Sequence, residues 1–210
     1  MGEQNNNYLL NSSSFDNYAK EYDSWYDENK EIYKLEVKAI KKYIPKSEKE
    51  NEKEIGLEIG VGTGRFAGVF GIKYGLEPSK SMADIAKYRG IKIYIGVAEE
   101  LPFDNNFFDY ILMTTTICFL NNPIKALGEI KRVLKPNGRL IIGFIDKDSL
   151  FGRFYESKKD NSKFYKNAKF YSLNDVLNML NKLNYKNIIY EKVKLKNNDD
   201  GSFVVVCAEI

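Results

Sequence analysis

Apolar residues recur along this chain in two rhythms, and the change from one to the other divides it. From Phe15 to Ile40 they fall at helical spacing: Phe15, Tyr18, Ala19, Tyr22, Trp25 and Tyr26, then Ile32, Leu35, Val37 and Ile40. This spacing predicts one or two amphipathic helices that stop near Pro45. The polar stretch before them, residues 1–14, is expected as a disordered tail. The charged run KSEKENEKE after Pro45 is expected as a connector, so that a helical cap spans 15–50 and the main domain 51–210.

Beyond the connector, short apolar runs of strand length alternate with helical patterns. Ile55–Ile59, Ile72–Leu76, Ile91–Ile95, Phe107–Met113 and Arg139–Ile145 read as strands. Ser79–Arg89 reads as a helix with Ser79 as N-cap and Gly90 as its stop, and Pro123–Leu134 as a helix with proline in its first turn. Such alternation predicts a parallel sheet with helices on both faces, and strands apolar on both sides agree with it. The end of the chain breaks the pattern. A helix at Ser172–Leu183 precedes two strands, Lys186–Val193 and Phe203–Glu209, joined by a link too short for a crossover. The last strand therefore runs antiparallel to its neighbour, and its run FVVVCA marks it as interior. The predicted fold is α/β, a doubly wound, mostly parallel seven-stranded sheet of Rossmann-like type, with an antiparallel last strand and an N-terminal helical cap.

Composition narrows the chemistry. The chain has 210 residues, 32 basic and 29 acidic, for a net charge of +3. Interleaved charges of both signs describe a solvated surface, so a nucleic-acid partner is not expected. No apolar run approaches the ~20 residues of a membrane span, and the polar N-terminus lacks a signal-peptide layout, so a cytoplasmic protein is expected. Cys118 and Cys207 lie far apart in apolar stretches and read as buried free thiols. The chain contains no histidine. Imidazole bases, His-based triads and the usual zinc centres are thereby excluded, and no metal is expected.

The candidate site begins at Glu58-Ile59-Gly60-Val61-Gly62-Thr63-Gly64-Arg65. Glycines at 60, 62 and 64 let the backbone turn sharply and approach a ligand closely. The order strand, glycine-rich turn, helix places that ligand at the carboxyl end of the sheet. The next strand ends in Leu76-Glu77-Pro78, and a carboxylate at this spacing can accept hydrogen bonds from both hydroxyls of a ribose. A nicotinamide fingerprint needs glycine at position 65, where this chain has Arg65. The spacing GxGxG suits a nucleoside with an amino-acid tail.

EIGVGTGRF, GLEPSKSM, GVAEELPFDNNFFDYILM and RVLKPNGRLIIGF, collinear from about 55 to 146, resemble the class I S-adenosylmethionine-dependent methyltransferases. The likeness is to the methyltransferase type 11 group, which includes the ubiquinone/menaquinone C-methylases. FDNYAKEYDSWY resembles the family's N-terminal cap. The resemblance implies S-adenosyl-L-methionine as cofactor. It implies that Glu58 and the backbone at Gly60 and Gly62 hold the methionine part, that Glu77 binds the ribose and that Met82 packs on the adenine, with Gly64 and Pro78 also at the cofactor. Val97 stands where the family usually has aspartate, which leaves adenine recognition to the Ala98 backbone and Glu99. Tyr22 of the cap and Thr114 at the end of the fourth strand complete the expected site.

Methyl transfer from a sulfonium is an in-line displacement that needs alignment and exclusion of water more than acid catalysis, so a histidine-free site suits it. Thr114-Thr115-Thr116 replaces the Asn/Asp-Pro-Pro-aromatic motif that grips amides and adenine amines, which points to a small-molecule acceptor. Aromatic residues crowd both the cap and 151–171, the latter expected as a lid insertion. A binding protein for the same cofactor without transfer activity is the alternative, and a nicotinamide oxidoreductase is opposed by Arg65 and the reversed last strand.

Overall fold

A computed structural model describes residues 3–45 and 54–210. Its strands are β1 (Gly56–Ile59), β2 (Tyr74–Glu77), β3 (Lys92–Ile95), β4 (Phe108–Thr114), β5 (Leu134–Ile145), β6 (Lys186–Val193) and β7 (Phe203–Glu209). They form one sheet in the order β3-β2-β1-β4-β5-β7-β6. The first five pair in parallel, while β7 runs antiparallel to both β5 and β6. The short Lys196–Ser202 link forces that reversal, and β7 is interior, as its unbroken apolar run predicts.

Side chains alternate between two cores, as the strand period requires. On one face Leu57, Ile59, Ile111, Met113, Leu140 and Ile142 meet α5 (Pro123–Val133) and α7 (Leu173–Lys182). On the other, Leu112, Ile141, Val205 and Phe203 meet α2 (Lys30–Lys41), α3 (Arg65–Phe70) and α4 (Lys80–Tyr88). Ser79 caps α4 by accepting from the Met82 N–H, and Gly90 follows with φ +78°, the left-handed backbone that stops a helix.

Two elements differ from the sequence reading. Helix α1 runs Glu3–Glu28, so residues 3–14, expected as a disordered tail, are helical; extending an existing helix adds a hydrogen bond per residue with no new nucleation. This helix is broken at Tyr18 (φ −124°, ψ 24°). Strand β5 starts at Leu134 and absorbs the expected Pro136-Asn137-Gly138 turn as a bulge, with Asn137 at φ +63°. The charged connector lies, but for Glu54, outside the described residues. Segment 151–171 contains α6 (Leu150–Lys158) and a loop that lies against α1, where Lys163 pairs with Glu21 at 2.8 Å and Phe164 packs on Phe15 and Tyr22.

Candidate cofactor-binding site

At the carboxyl ends of β1, β2 and β4 a cleft of about 770 Å³, partly open to solvent, is lined by Tyr22, Gly60, Gly62, Glu77, Pro78, Met82, Ala98, Glu99 and Thr114. A smaller recess of about 240 Å³ adjoins it and reaches Glu58. Ten of the eleven residues expected at the site thus line one of two adjoining cavities. Gly64 lines neither. It sits at φ +83°, and a Cβ there would lie 2.5 Å from Ile91, so its glycine serves the packing of α3 against the segment before β3.

The turn after β1 is shaped by its glycines. Gly60 has φ +64°, and a Cβ would meet the Thr116 side chain at 2.4 Å; Gly62 has φ +54°. Thr116 Oγ1 lies 2.9 Å from the Thr114 carbonyl and 3.4 Å from that of Gly60, and the latter contact brings the segment after β4 onto this turn. The turn's amides hold Glu77: Gly62 N–H donates to one carboxylate oxygen and Ser79 N–H to the other, each at 2.9 Å. Each oxygen keeps a lone pair for a further donor. Glu77 is only 6% exposed, and burial pushes its pKa up to about 7, against the lowering effect of those two amides.

Glu58 is more deeply enclosed, at 2% exposed, and burial holds its carboxyl well above the usual range. Its Oε2 and the Thr114 Oγ1 have no hydrogen-bond partner among the described residues. An unpaired buried carboxylate oxygen fits a ligand ammonium, since a charge left unpaired in such a recess is costly. The two acids therefore offer one cleft an ammonium acceptor at one end and a diol acceptor further along. Glu99, by contrast, has its Oε1 filled by the Asn121 and Asn122 N–H groups at 2.9 and 3.0 Å, which fasten the loop before α5.

Helix α1 closes the cleft. Asp23 receives both Arg65 Nε and Nη2 at 2.8 Å and Arg89 Nη2 at 3.0 Å, and Asp27 takes a second Arg65 contact at 2.6 Å. These forks draw Asp23 down to about 2, with its partial burial opposing them. Asp16 accepts from Ser79 Oγ at 2.6 Å, joining α1 to the start of α4. Phe15, Phe119 and Leu120 also line the cleft, and the sequence reading missed them. The hydrophobic run Ile117–Leu120 directly after β4 was the signal available for the last two. Cys118 offers no nucleophile at neutral pH, because burial pushes its thiol up to about 12.

Strand order, the reversed β7, the glycine turn and the acid ending β2 together define a class I nucleoside-cofactor fold. A family model described as a methyltransferase domain matches residues 57–142. An uncharacterized protein of Methanocaldococcus jannaschii is 49% identical over 207 residues, covering 93% of this chain and 98% of that protein. A crystal structure from Thermotoga maritima, described as a SAM-dependent methyltransferase and possible histamine N-methyltransferase, is 38% identical, with a TM-score of 0.84 over 93% of this chain and 98% of that one. The ubiquinone/menaquinone biosynthesis C-methyltransferase UbiE of Rickettsia felis is 38% identical over 79 residues, 37% of this chain and 32% of that protein. The chain belongs to the S-adenosylmethionine-dependent methyltransferases, in their type 11 group. Its cofactor is S-adenosyl-L-methionine. No helix of the described residues is long and apolar enough to cross a membrane.

Proposed function

We propose that this protein transfers the methyl group of S-adenosylmethionine to a small-molecule acceptor. The observation that carries the reading is the pair of buried acids, Glu58 with an unpartnered oxygen and Glu77 with both oxygens aligned by backbone amides, in adjoining cavities. Glu58 takes the ammonium of the methionine part, and the Gly60–Gly62 turn lets that tail pass close to the backbone. Glu77 accepts from the ribose hydroxyls. Pro78, Met82 and the Ala98 backbone enclose the adenine. When bound, the cofactor supplies an electrophilic methyl on a sulfonium, for which the leaving thioether needs no acid.

The protein's own contribution is positioning and exclusion of water. Tyr22 and Thr114 stand over the end of the cleft nearest β4, and the phenol of Tyr22 hydrogen-bonds Tyr26 at 3.1 Å. Burial pushes Tyr22 up to about 12, so it acts as a neutral hydroxyl and not as a base. A second, larger cavity shares Tyr22 and Thr115 with the cofactor cleft, which favours transfer to a second molecule over cofactor binding alone. Calorimetric titration with S-adenosylhomocysteine tests the first half of the reading. Formation of S-adenosylhomocysteine from S-adenosylmethionine across an acceptor panel tests the second. Absence of binding by either sulfur nucleoside would refute it.

A further inference from the structure

The second cavity is bounded by α1, α2, the end of β5, α6 and the 164–165 loop, and measures about 1480 Å³ counted to its open mouth. Its walls are aromatic. Tyr22 and Tyr26 stand with centroids 5.6 Å apart, Tyr155 and Tyr165 5.4 Å apart, and Phe164 lies 5.5 Å from Tyr22. Among this apolar lining sits Glu36 of α2, only 5% exposed. Among the described residues no side chain or amide donates to its carboxylate and no cation pairs with it. Its charge bears on the phenols of Tyr22, Tyr26, Tyr33, Tyr155 and Tyr165. The other charged residues at this cavity are peripheral: Glu21 pairs with Lys163 on the surface, Glu28 is exposed, and Lys196 is exposed with its ammonium over Phe151.

A buried carboxylate with no partner is costly when charged, and burial accordingly pushes Glu36 up to about 8. A cation entering the cavity supplies the missing partner. An anion keeps the acid protonated and gains no ion pair, and a neutral apolar molecule leaves it unpaired. Tyrosine faces add attraction for a cation desolvated between them. We infer that this cavity is a binding site for a small organic amine, whose ammonium Glu36 accepts and whose substituents the tyrosine and phenylalanine rings enclose. Resting on the methyl-transfer reading, the amine is then the acceptor class, held across Tyr22 and Thr115 from the cofactor cleft.

The test is calorimetry on the full chain with S-adenosylhomocysteine present, using benzylamine, phenethylamine and n-hexylamine, each beside the alcohol of the same skeleton. At least one amine is expected to bind about tenfold or more tightly than its alcohol, the loss of one charged hydrogen bond. In Glu36→Gln that preference is expected to disappear while S-adenosylhomocysteine still binds. Equal binding of every amine and its alcohol, or no amine binding at all, would overturn the inference on the unmodified protein, whatever the variant does. An undiminished preference in Glu36→Gln would overturn the role of Glu36. Failure of S-adenosylhomocysteine to bind is a separate readout and counts against the methyl-transfer reading itself.

Discussion

Glu77 is where the proposed site is most exposed to disproof. Its carboxylate accepts from Gly62 and Ser79 amides on one side and, in the proposed complex, from the ribose diol on the other. Glu77→Gln keeps the volume but turns one oxygen into a donor, which then faces a backbone N–H. Losing a charged hydrogen bond to the ligand is worth about 1.5–3 kcal/mol, so affinity for S-adenosylhomocysteine should fall roughly 10- to 150-fold. The pH dependence follows from burial, which raises the folded pKa from 4.5 to about 7. A raised carboxyl makes the empty protein most stable when protonated, below the unfolded value. That contribution, about 3 kcal/mol, is lost as pH rises toward 7. A ligand that donates to the carboxylate binds its ionised form, so affinity should climb up to about tenfold per pH unit below 7 from this group and level off above it. Glu58, held up by burial in the same way, steepens the climb. Calorimetry from pH 6 to 8.5, in buffers of different ionisation enthalpy to count released protons, measures this directly. If Glu77→Gln binds as tightly as the unaltered protein, or if the two show the same pH profile, the ribose role assigned to Glu77 is wrong.

Further outcomes follow from other contacts. Asp23→Asn breaks the fork to Arg65 and Arg89 and should cost about 1–2 kcal/mol in urea unfolding. Because Asp23 is drawn down to about 2, its contribution is full above its ordinary value of 3.8 and fades as pH falls toward 2, where variant and parent should converge. Gly60→Ala combines a positive φ with a Cβ placed 2.4 Å from Thr116, and should lose more than ~2 kcal/mol of stability together with cofactor binding. Gly68→Ala, inside α3 with open space at its Cβ, should instead stabilise by about 0.5–1 kcal/mol in the same assay. Glu36→Gln removes a group whose raised pKa costs stability increasingly from 4.5 up to about 8, so thermal denaturation above pH 8 should find the variant more stable by roughly 2–5 kcal/mol, and the gap should close near pH 4.

The mostly parallel sheet with its reversed, interior last strand and the place of the cleft were legible in the sequence because they depend on local signals. Glycines at turns, an acid ending a strand and an apolar run bounded by a short link each constrain the backbone where they stand. Of the second cavity, only the aromatic crowding of the cap and of 151–171 was legible. In the sequence Glu36 is a carboxylate in a charged helix, LEVKAIKK, of the kind that normally faces water. It is buried because α2 lays Ala39 and Ile40 on the sheet while α1 folds over it, and no pattern within either helix records that pairing. The contact of Phe15 with Phe164 likewise joins the two ends of the chain. Glu99 lines the cleft, and its Oε1 also accepts from loop amides before α5 that only the folded chain brings to it. Gly64 fitted the spacing of a ligand-contacting glycine, yet the demand on it comes from Ile91, a neighbour set by the packing of α3.

Arg65 connects two properties that a sequence treats as separate. At that position the glycine turn departs from the dinucleotide fingerprint, and from that position the guanidinium reaches Asp23 and Asp27 on α1. A substitution to glycine there would do more than restore a spacing; it would remove the ion pairs to Asp23 and Asp27 and leave α1 held by Arg89, by the Ser79–Asp16 bond and by its aromatic contacts. In the proposed complex one side chain thus bears both on the shape of the cofactor turn and, together with Arg89, on the seating of the helix above it.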